Sequence, residues 1–394
     1  MYRSLMVAVD NSPYSDYAIQ TALVLARGME ACVTGFHAYA ARLHDARFRD
    51  MEPGLPERYQ RPEELARQRD IHNSLIGQGL QVISDSYLDR FERQCLEAGV
   101  PCQRRTSEGQ NYVEILKELH SNGYDLLALG ALGLGAAADS QIGSVCHRAV
   151  LKARRDVLVL RGELQAGGRV VVGVDGSPYS FAAVERAVEL GRVLHAPVEA
   201  VAVYDPYFHT TAFHSIAGVL SEEAGKLFRF RDQERLHGEI INQGLEKIYG
   251  GYLEEAQVIA RDRGGEVSTV LLTGKPFSRM LRHLRDGAPP LVVVGRFGLH
   301  RTDMLDMGST AENLLRLAPG NVLVVSGQIS PSPRVAGEEA AAMPWTSGAE
   351  ERLLRVPPFA RGMARKAIED YARERGLGEI TVEVMVAARE HTGI

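Results

Sequence analysis

A chain of 394 residues is too long for one ordinary hydrophobic core, so two or three domains are expected. Apolar residues at 45% and charged residues at 24% are ordinary for a folded globular protein. The net charge of −5 supplies no basic footprint, so no nucleic-acid partner is expected.

The opening MYRSLMVAVDNS reaches an acid and turn residues too early for a secretory signal. The longest uncharged apolar run, residues 126–138, is rich in Gly and Ala and falls short of the ~20 residues that span a bilayer. No membrane partner and a cytoplasmic location are the expectations. Cys32, Cys95, Cys102 and Cys146 fit no zinc spacing, so reduced thiols are expected and no metal site is assigned, with Cys95 and Cys102 the one pair close enough in sequence to consider for redox chemistry.

The first element, SLMVAVD, is a short apolar run ending in Asp10, as buried parallel strands are. NSPYS follows: Ser12 is placed to cap a helix with Pro13 at its first position, and Ala18, Ala22, Leu25 and Ala26 recur at helical spacing. ACVTGFHAY is a second strand, and residues 40–98 form a long polar, helical stretch. A third strand is expected near 100–106, then a helix in NYVEILKELHSNG, a fourth strand in DLLALG, a glycine loop, a helix and a last strand in DVLVLR.

The order then repeats. VDNSPYS at 9–15 returns as VDGSPYS at 174–180, an offset of 165 residues. At that offset RVVVGVD ends in Asp175, and Ser177 and Pro178 open a helix with Ala183, Ala187 and Leu190. APVEAVAVYD is the second strand, 205–263 the long middle stretch, 266–272 the third strand, PFSRMLRHLRDG a helix, and LVVVG and NVLVVSG the last strands. The chain is a duplication, with each copy long enough for a core of its own. Alternating strands and helices give an α/β fold, two doubly wound parallel-sheet domains, whose ligands bind beyond the C-terminal strand ends.

Two features of each copy fall at those ends: the strand-ending Asp10 or Asp175, and a loop reading G-x2-G-x9-G-S. The loops are Gly130, Gly133, Gly143, Ser144 and Gly295, Gly298, Gly308, Ser309. Glycines let backbone amides approach a bulky anion, and the Gly-Ser pair opens a helix whose free N–H groups favour phosphate. The Asp carboxylate suits ribose hydroxyls or an adenine edge. The plainer alternative is turn and capping chemistry alone. Other motifs fail: TGKP at 273–276 has Pro276 where a phosphate loop needs Ser or Thr, and GLGAAA at 133–138 becomes GLHRTD in the second copy. No Ser-His-Asp set or carboxylate pair recurs, and Asp139 and Asp303 sit at unmatched loop positions, so no catalytic residue is assigned.

These strand ends and loops resemble the universal stress protein family, in tandem. The resemblance implies an adenine-nucleotide alpha-hydrolase-like fold, ATP bound in both copies with Mg2+ as companion of the triphosphate, and two halves packed as a pseudo-dimer in place of a homodimer, with self-association of the whole chain left open. It places Asp10 and Asp175 near adenine or ribose, and the backbone of Ala38 and Val203 against adenine. It gives ribose and phosphates to Gly130, Gly133, Gly143, Ser144 and Val145 in one copy. In the other it gives them to Gly295, Gly298, Gly308, Ser309 and Thr310. Arg296, His300 and Arg301 stand in the second loop where the first has Ala131, Leu132 and residues 135–138, so the second copy is expected to be the stronger ATP site. A nucleotide-dependent regulatory protein is the leading reading, against a slow ATPase or nucleotide transferase and a scaffold with degenerate pockets.

His44 and His209 correspond across the copies, as do His72 and His237, with His214 nearby; solvated or helix-contact roles are favoured over metal binding. Domain limits are set at 1–162, 168–327, a linker at 328–344 and a small helical module at 345–394. In the module Thr346 or Ser347 caps a helix with Leu353 and Leu354, VPPF is a turn, residues 360–375 are helical up to Gly376, and Thr381 caps a last helix with Val382, Met385 and Val386 on one side. Its run of W-T, A-E, V-P-x-F, A-R-x-x-G and T-x-E resembles the small C-terminal domain of the light-independent protochlorophyllide reductase B subunit. The reductase's cluster and catalytic parts have no counterpart, so a protein–protein module with an unknown protein partner is expected in preference to tetrapyrrole binding.

Overall fold

The computed structural model describes residues 1–394 apart from 138, 207–241, 300, 302–304, 331–342, 355, 357 and 393–394. The expectations for His209, His214, His237, His300 and Asp303 lie outside the described residues. The chain divides into two compact units, Met1–Pro331 and Ser332–Ile394.

The first unit holds both repeats. Its first half runs β1 (Ser4–Ala8), α1 (Pro13–Met29), β2 (Cys32–Tyr39), α2 (Ala41–Met51), α3 (Glu57–Gln60), α4 (Pro62–Ala98), β3 (Cys102–Glu108), α5 (Asn111–Ser121), β4 (Leu126–Gly130), α6 (Ser144–Lys152) and β5 (Asp156–Leu160). The second half gives β6 (Val170–Val174), α7 (Pro178–Leu194), β7 (Val198–Tyr204), α8 (Asn242–Asp262), β8 (Ser268–Thr273), α9 (Pro276–Arg285), β9 (Leu291–Gly295), α10 (Ser309–Leu317) and β10 (Val322–Val325). The third strand of each half starts two residues later than its apolar letters suggest. β3 reads CQRRTSE and is mostly exposed, an edge strand whose limits hydrophobicity does not mark.

The first helices start as their letters require. Ser12 and Ser177 have extended backbones, and each hydroxyl accepts the amide of the residue three positions on, Ser15 or Ser180, at 3.1 Å. Pro13 and Pro178 occupy the position where a missing N–H costs nothing.

The strands form one ten-stranded sheet in the order β3-β2-β1-β4-β5-β10-β9-β6-β7-β8. Each half is parallel throughout. The halves meet where β5 and β10 pair antiparallel, with Val322 opposite Val159 and Val324 opposite Val157. Side chains therefore alternate between two cores that both run through the joint. Leu5, Leu126 and Leu158 share one face with Val172 and Leu323, beneath α1, α4, α7 and α8. Met6, Leu127 and Val157 share the other with Val292 and Val324, beneath α5, α6, α9 and α10. Separate cores for the two copies were the sequence expectation; the pairing of two apolar edge strands merges them.

Polar groups fix the joint. Asp156 is buried and accepts the Ser326 amide at 2.8 Å and the Tyr2 hydroxyl at 2.7 Å, with the Arg186 Nε at 3.4 Å. Asn321, its counterpart at the 165-residue offset, accepts the Arg161 amide at 2.8 Å. Arg161 Nη2 donates to the Leu315 carbonyl, and Arg296 Nη1 donates to the Val150 carbonyl at 2.7 Å. Each arginine thus meets the C-terminal carbonyls of the other half's last helix, where the dipole favours a cation. Burial lowers the pKa of both guanidiniums, that of Arg296 to about 10, which leaves Arg296 charged at neutral pH.

In the second unit Trp345 bridges to Ile380, and α11 (Ser347–Leu354), α12 (Pro358–Glu374) and α13 (Val382–Thr392) enclose a small core including Ala349, Leu353, Ile368, Ala372 and Met385. Helix α12 begins two residues before its expected start, because Pro358 serves as an opening residue. Gly376 adopts φ +66° just past its end. The Thr346 hydroxyl donates to the Ile380 carbonyl at 3.3 Å, while Thr381 Oγ1 accepts the Val384 amide at 3.4 Å. Leu354 and Val386 are exposed, so the apolar stripe is narrower than the letters imply.

Asp156→Ala strands the Tyr2 hydroxyl and the Ser326 amide and leaves the Arg186 guanidinium only Glu189 as an ion-pair partner among the described residues. A loss of about 3 kcal/mol in urea unfolding is expected. Asp89→Ala, which removes one of three exposed carboxylates on Arg104, is expected to change stability by less than about 0.5 kcal/mol.

Candidate functional site

Every residue singled out at the strand ends of the first half lines one cavity of about 980 Å³: Asp10, Ala38, Gly130, Gly133, Gly143, Ser144 and Val145. Asp175, Val203, Gly295, Gly298, Gly308, Ser309 and Thr310 line a second, of about 330 Å³. Both volumes fall within the range of small-molecule sites. Since β5 and β10 are antiparallel, the two cavities open at opposite edges of the sheet.

Both strand-end carboxylates do the capping work considered for them. Asp10 Oδ1 accepts the Ser12 amide at 3.0 Å and the Ser12 hydroxyl at 2.6 Å, which orients the serine as the cap of α1. Its Oδ2 has no hydrogen-bond partner among the described residues and faces Gly133, where a Cβ would stand 2.6 Å away. Asp175 repeats the bonds to Ser177 at 3.0 and 2.6 Å, but its Oδ2 also accepts the Leu299 amide at 3.3 Å. The second loop thus gives its carboxylate one amide bond that the first does not, although the two glycines stand equally close, a Cβ on Gly298 falling 2.6 Å from Asp175 Oδ2.

The loop glycines divide by purpose. A Cβ on Gly130 would stand 2.6 Å from the Tyr14 Cβ and 2.8 Å from the Tyr14 carbonyl carbon; on Gly295 it would meet Tyr179 at similar range. These glycines let the first helix of each half lie on the sheet. Gly143 and Gly308 are the N-cap residues of α6 and α10, with no side-chain cap, and Ser144 and Ser309 are the first helical residues. The opening turn of α6 therefore presents uncapped amides, from residues that line the first cavity.

Three residues that line the second cavity are larger than their counterparts in the first half. At the 165-residue offset Ser84 is replaced by Tyr249, Ala136 by Arg301 and Ser140 by Leu305, and all three larger residues line the second cavity. Arg301 folds inward, donating to the Tyr179 hydroxyl at 2.6 Å with its guanidinium 4.7 Å from the Phe297 ring centre. Arg296, expected to face phosphate, instead lies buried in the joint: the strand-end position that points into the loop in sequence turns toward β5 in space. Asp139 is exposed and outside the first cavity's lining.

Several cavity residues carry no motif. His37 and Tyr87 meet edge to face at 5.2 Å, and His37 Nδ1 lies 2.8 Å from Ser84 Oγ. Burial holds the His37 pKa below its usual value, against the opposing pull of Asp10, so the ring is neutral at pH 7. His44, Asn111 and His147 also line this cavity, with Arg316 from the second half. The repetition of His44 in the sequence was a signal; Arg316 had none, since it arrives from the other copy. His72 stacks on Phe48 at 4.2 Å, a helix-to-helix contact. Among the described residues no group of His, Cys, Asp or Glu could hold a metal ion, and no helix is long and apolar enough to cross a membrane. The four cysteines are free thiols; burial and Cys102 raise the Cys95 pKa, and burial pushes Cys146 up to about 12.

Comparison with known proteins gives three findings. The model of the universal stress protein family matches residues 1–161 and 168–326, and that of the proto-chlorophyllide reductase 57 kD subunit matches 345–389. The B subunit of light-independent protochlorophyllide reductase from Synechocystis is 53% identical over 49 residues, which is 12% of this chain and 10% of that protein. Its counterpart from Halorhodospira halophila is 40% identical over 75 residues, 19% of this chain and 14% of that one. The chain thus spans only about a tenth of the length of the curated relatives it matches. A universal stress protein structure from Archaeoglobus fulgidus is similar at a TM-score of 0.51 and 16% identity, over 82% of this chain and 98% of that one, a likeness of fold.

Gly130→Ala must displace the α1 backbone, with an expected loss of about 1–3 kcal/mol in denaturant unfolding. Gly133→Ala presses only on a carboxylate oxygen and is expected to cost less than about 1 kcal/mol.

Proposed function

The chain belongs to the universal stress protein family, and from that premise we propose that it is an adenine-nucleotide-binding regulatory protein of the cytoplasm, with the first cavity as its principal site. ATP, accompanied by Mg2+, is the proposed ligand. One observation carries the reading: the spare oxygen of Asp10 and the uncapped first turn of α6 border a single cavity of about 980 Å³. The carboxylate suits ribose hydroxyls, and the helix start suits a phosphate. Ala38, at the end of β2, suits the adenine through its backbone.

The second cavity becomes the weaker site, reversing the order expected from loop cations. Tyr249, Arg301 and Leu305 occupy its space, and the Asp175 oxygen is already bonded. Hydrolysis is not part of the proposal, because no base or nucleophile among the described residues is shared by the two loops. The second unit, with its compact helical core and a sequence found at the end of a reductase subunit, is proposed to contact a protein partner.

Titration calorimetry of the full chain with ATP is expected to show about one equivalent bound tightly. Asp10→Asn, which keeps the acceptor for Ser12 but places a donor toward the ribose, is expected to weaken binding about tenfold, and Asp175→Asn less than about twofold. Equal losses would overturn the choice of site. No heat with ATP, and no nucleotide released from gently purified protein on denaturation, would overturn the function.

A further inference from the structure

The first cavity takes a cation from the other repeat. Helix α10 crosses over between the parallel strands β9 and β10, so it runs back against β10 and ends at that strand's N-terminal edge. The antiparallel joint makes this the C-terminal edge of β5, where the first cavity opens. Two contacts record the resulting antiparallel approach of α6 and α10: His147 Nε2 lies 3.4 Å from Glu312 Oε1, and Lys152 forms an ion pair with Asp306 at 2.7 Å. Continued along α10, the same approach carries Arg316 toward the start of α6, and Arg316 lines the cavity with Gly143 and Ser144.

Arg316 is the only Lys or Arg side chain among the described residues that line this cavity. It is exposed, and its guanidinium has no hydrogen-bond or ion-pair partner among the described residues. The backbone carbonyl of Arg316 is within 3.4 Å of Arg161 Nη2, the arginine that holds the end of α10 across the joint. The second cavity receives no equivalent. The counterpart of Arg316 is Leu151, and the neighbouring Lys152 is paired with Asp306 of the second loop.

Resting on the nucleotide reading of the first cavity, we propose that Arg316 reads the phosphate end of the ligand and sets the preference for nucleotides over nucleosides. An arginine fork suits phosphate oxygens, and it faces an uncapped helix start that also favours negative charge. The first half holds the nucleoside; the second half supplies the charge that counts phosphates. Affinity for ATP at one repeat then depends on the joint with the other.

Calorimetry of the full chain with adenosine, AMP and ATP, for the native protein, Arg316→Ala and Arg316→Lys, tests this. Arg316→Ala is expected to weaken ATP about tenfold, roughly 1.4 kcal/mol, and adenosine by less than about twofold. Arg316→Lys is expected to restore part of the ATP affinity. Urea unfolding of the exposed-site variants should match the native protein. Unchanged ATP affinity in Arg316→Ala, or equal losses for ATP and adenosine, overturns the role of Arg316 while leaving the nucleotide site standing. Native protein that binds none of the three ligands overturns both.

Discussion

The antiparallel pairing of β5 with β10 is the constraint from which the rest of the first unit follows. A parallel sheet ends in an edge of unpaired amides and carbonyls, and two such edges meeting head to tail satisfy one another. The pairing turns two five-stranded sheets into one of ten and lets both apolar faces run across the seam. It also reverses strand direction, which sends the two cavities to opposite edges and brings the last helix of each repeat to the loop of the other. Asp156, Asn321, Arg161 and Arg296 are placed to hold this seam, and all four bond across it.

Around that seam the repeats have kept their scaffold and changed their cavities. The capped first helix, the carboxylate's bonds to the capping serine and the packing glycine are duplicated. The residues facing the cavity are not. Ala136 and Ser140 on one side correspond to Arg301 and Leu305 on the other, and the first cavity has about three times the space. Arg301 lies over the Phe297 ring and donates to the Tyr179 hydroxyl, contacts that the letters of its loop do not announce.

Much of this was legible in the letters because it is local. Ser12-Pro13 and Ser177-Pro178 announce helix starts through their own side chains, and the short apolar run of SLMVAVD announces a buried strand. The loop glycines, matched in register, marked the strand ends at which each half's cavity lies. What was not legible depends on partners distant in sequence. Nothing in DVLVLR or NVLVVSG says that these strands pair with each other, and without that pairing Arg296 reads as a loop cation and Arg316 as a helix-end residue. The limits of β3 were blurred because an exposed edge strand carries no apolar alternation. In the second unit the VPPF stretch misled because one proline can end a turn and open a helix at the same place.

The seam is also lopsided. Arg161 corresponds by position to Ser326, and Arg296 corresponds to Ala131, so the two cross-binding arginines are not copies of one ancestral residue. Two first halves set side by side would bring Arg161 twice and Arg296 never; two second halves would do the opposite. Asp156 likewise meets Arg186 from the far half, where the first half offers Thr21 at the matching position. Duplication leaves interchangeable parts at the outset. These halves have since specialised into a left and a right, each complete only against its opposite, and fusion in one chain guarantees that the opposite is always at hand.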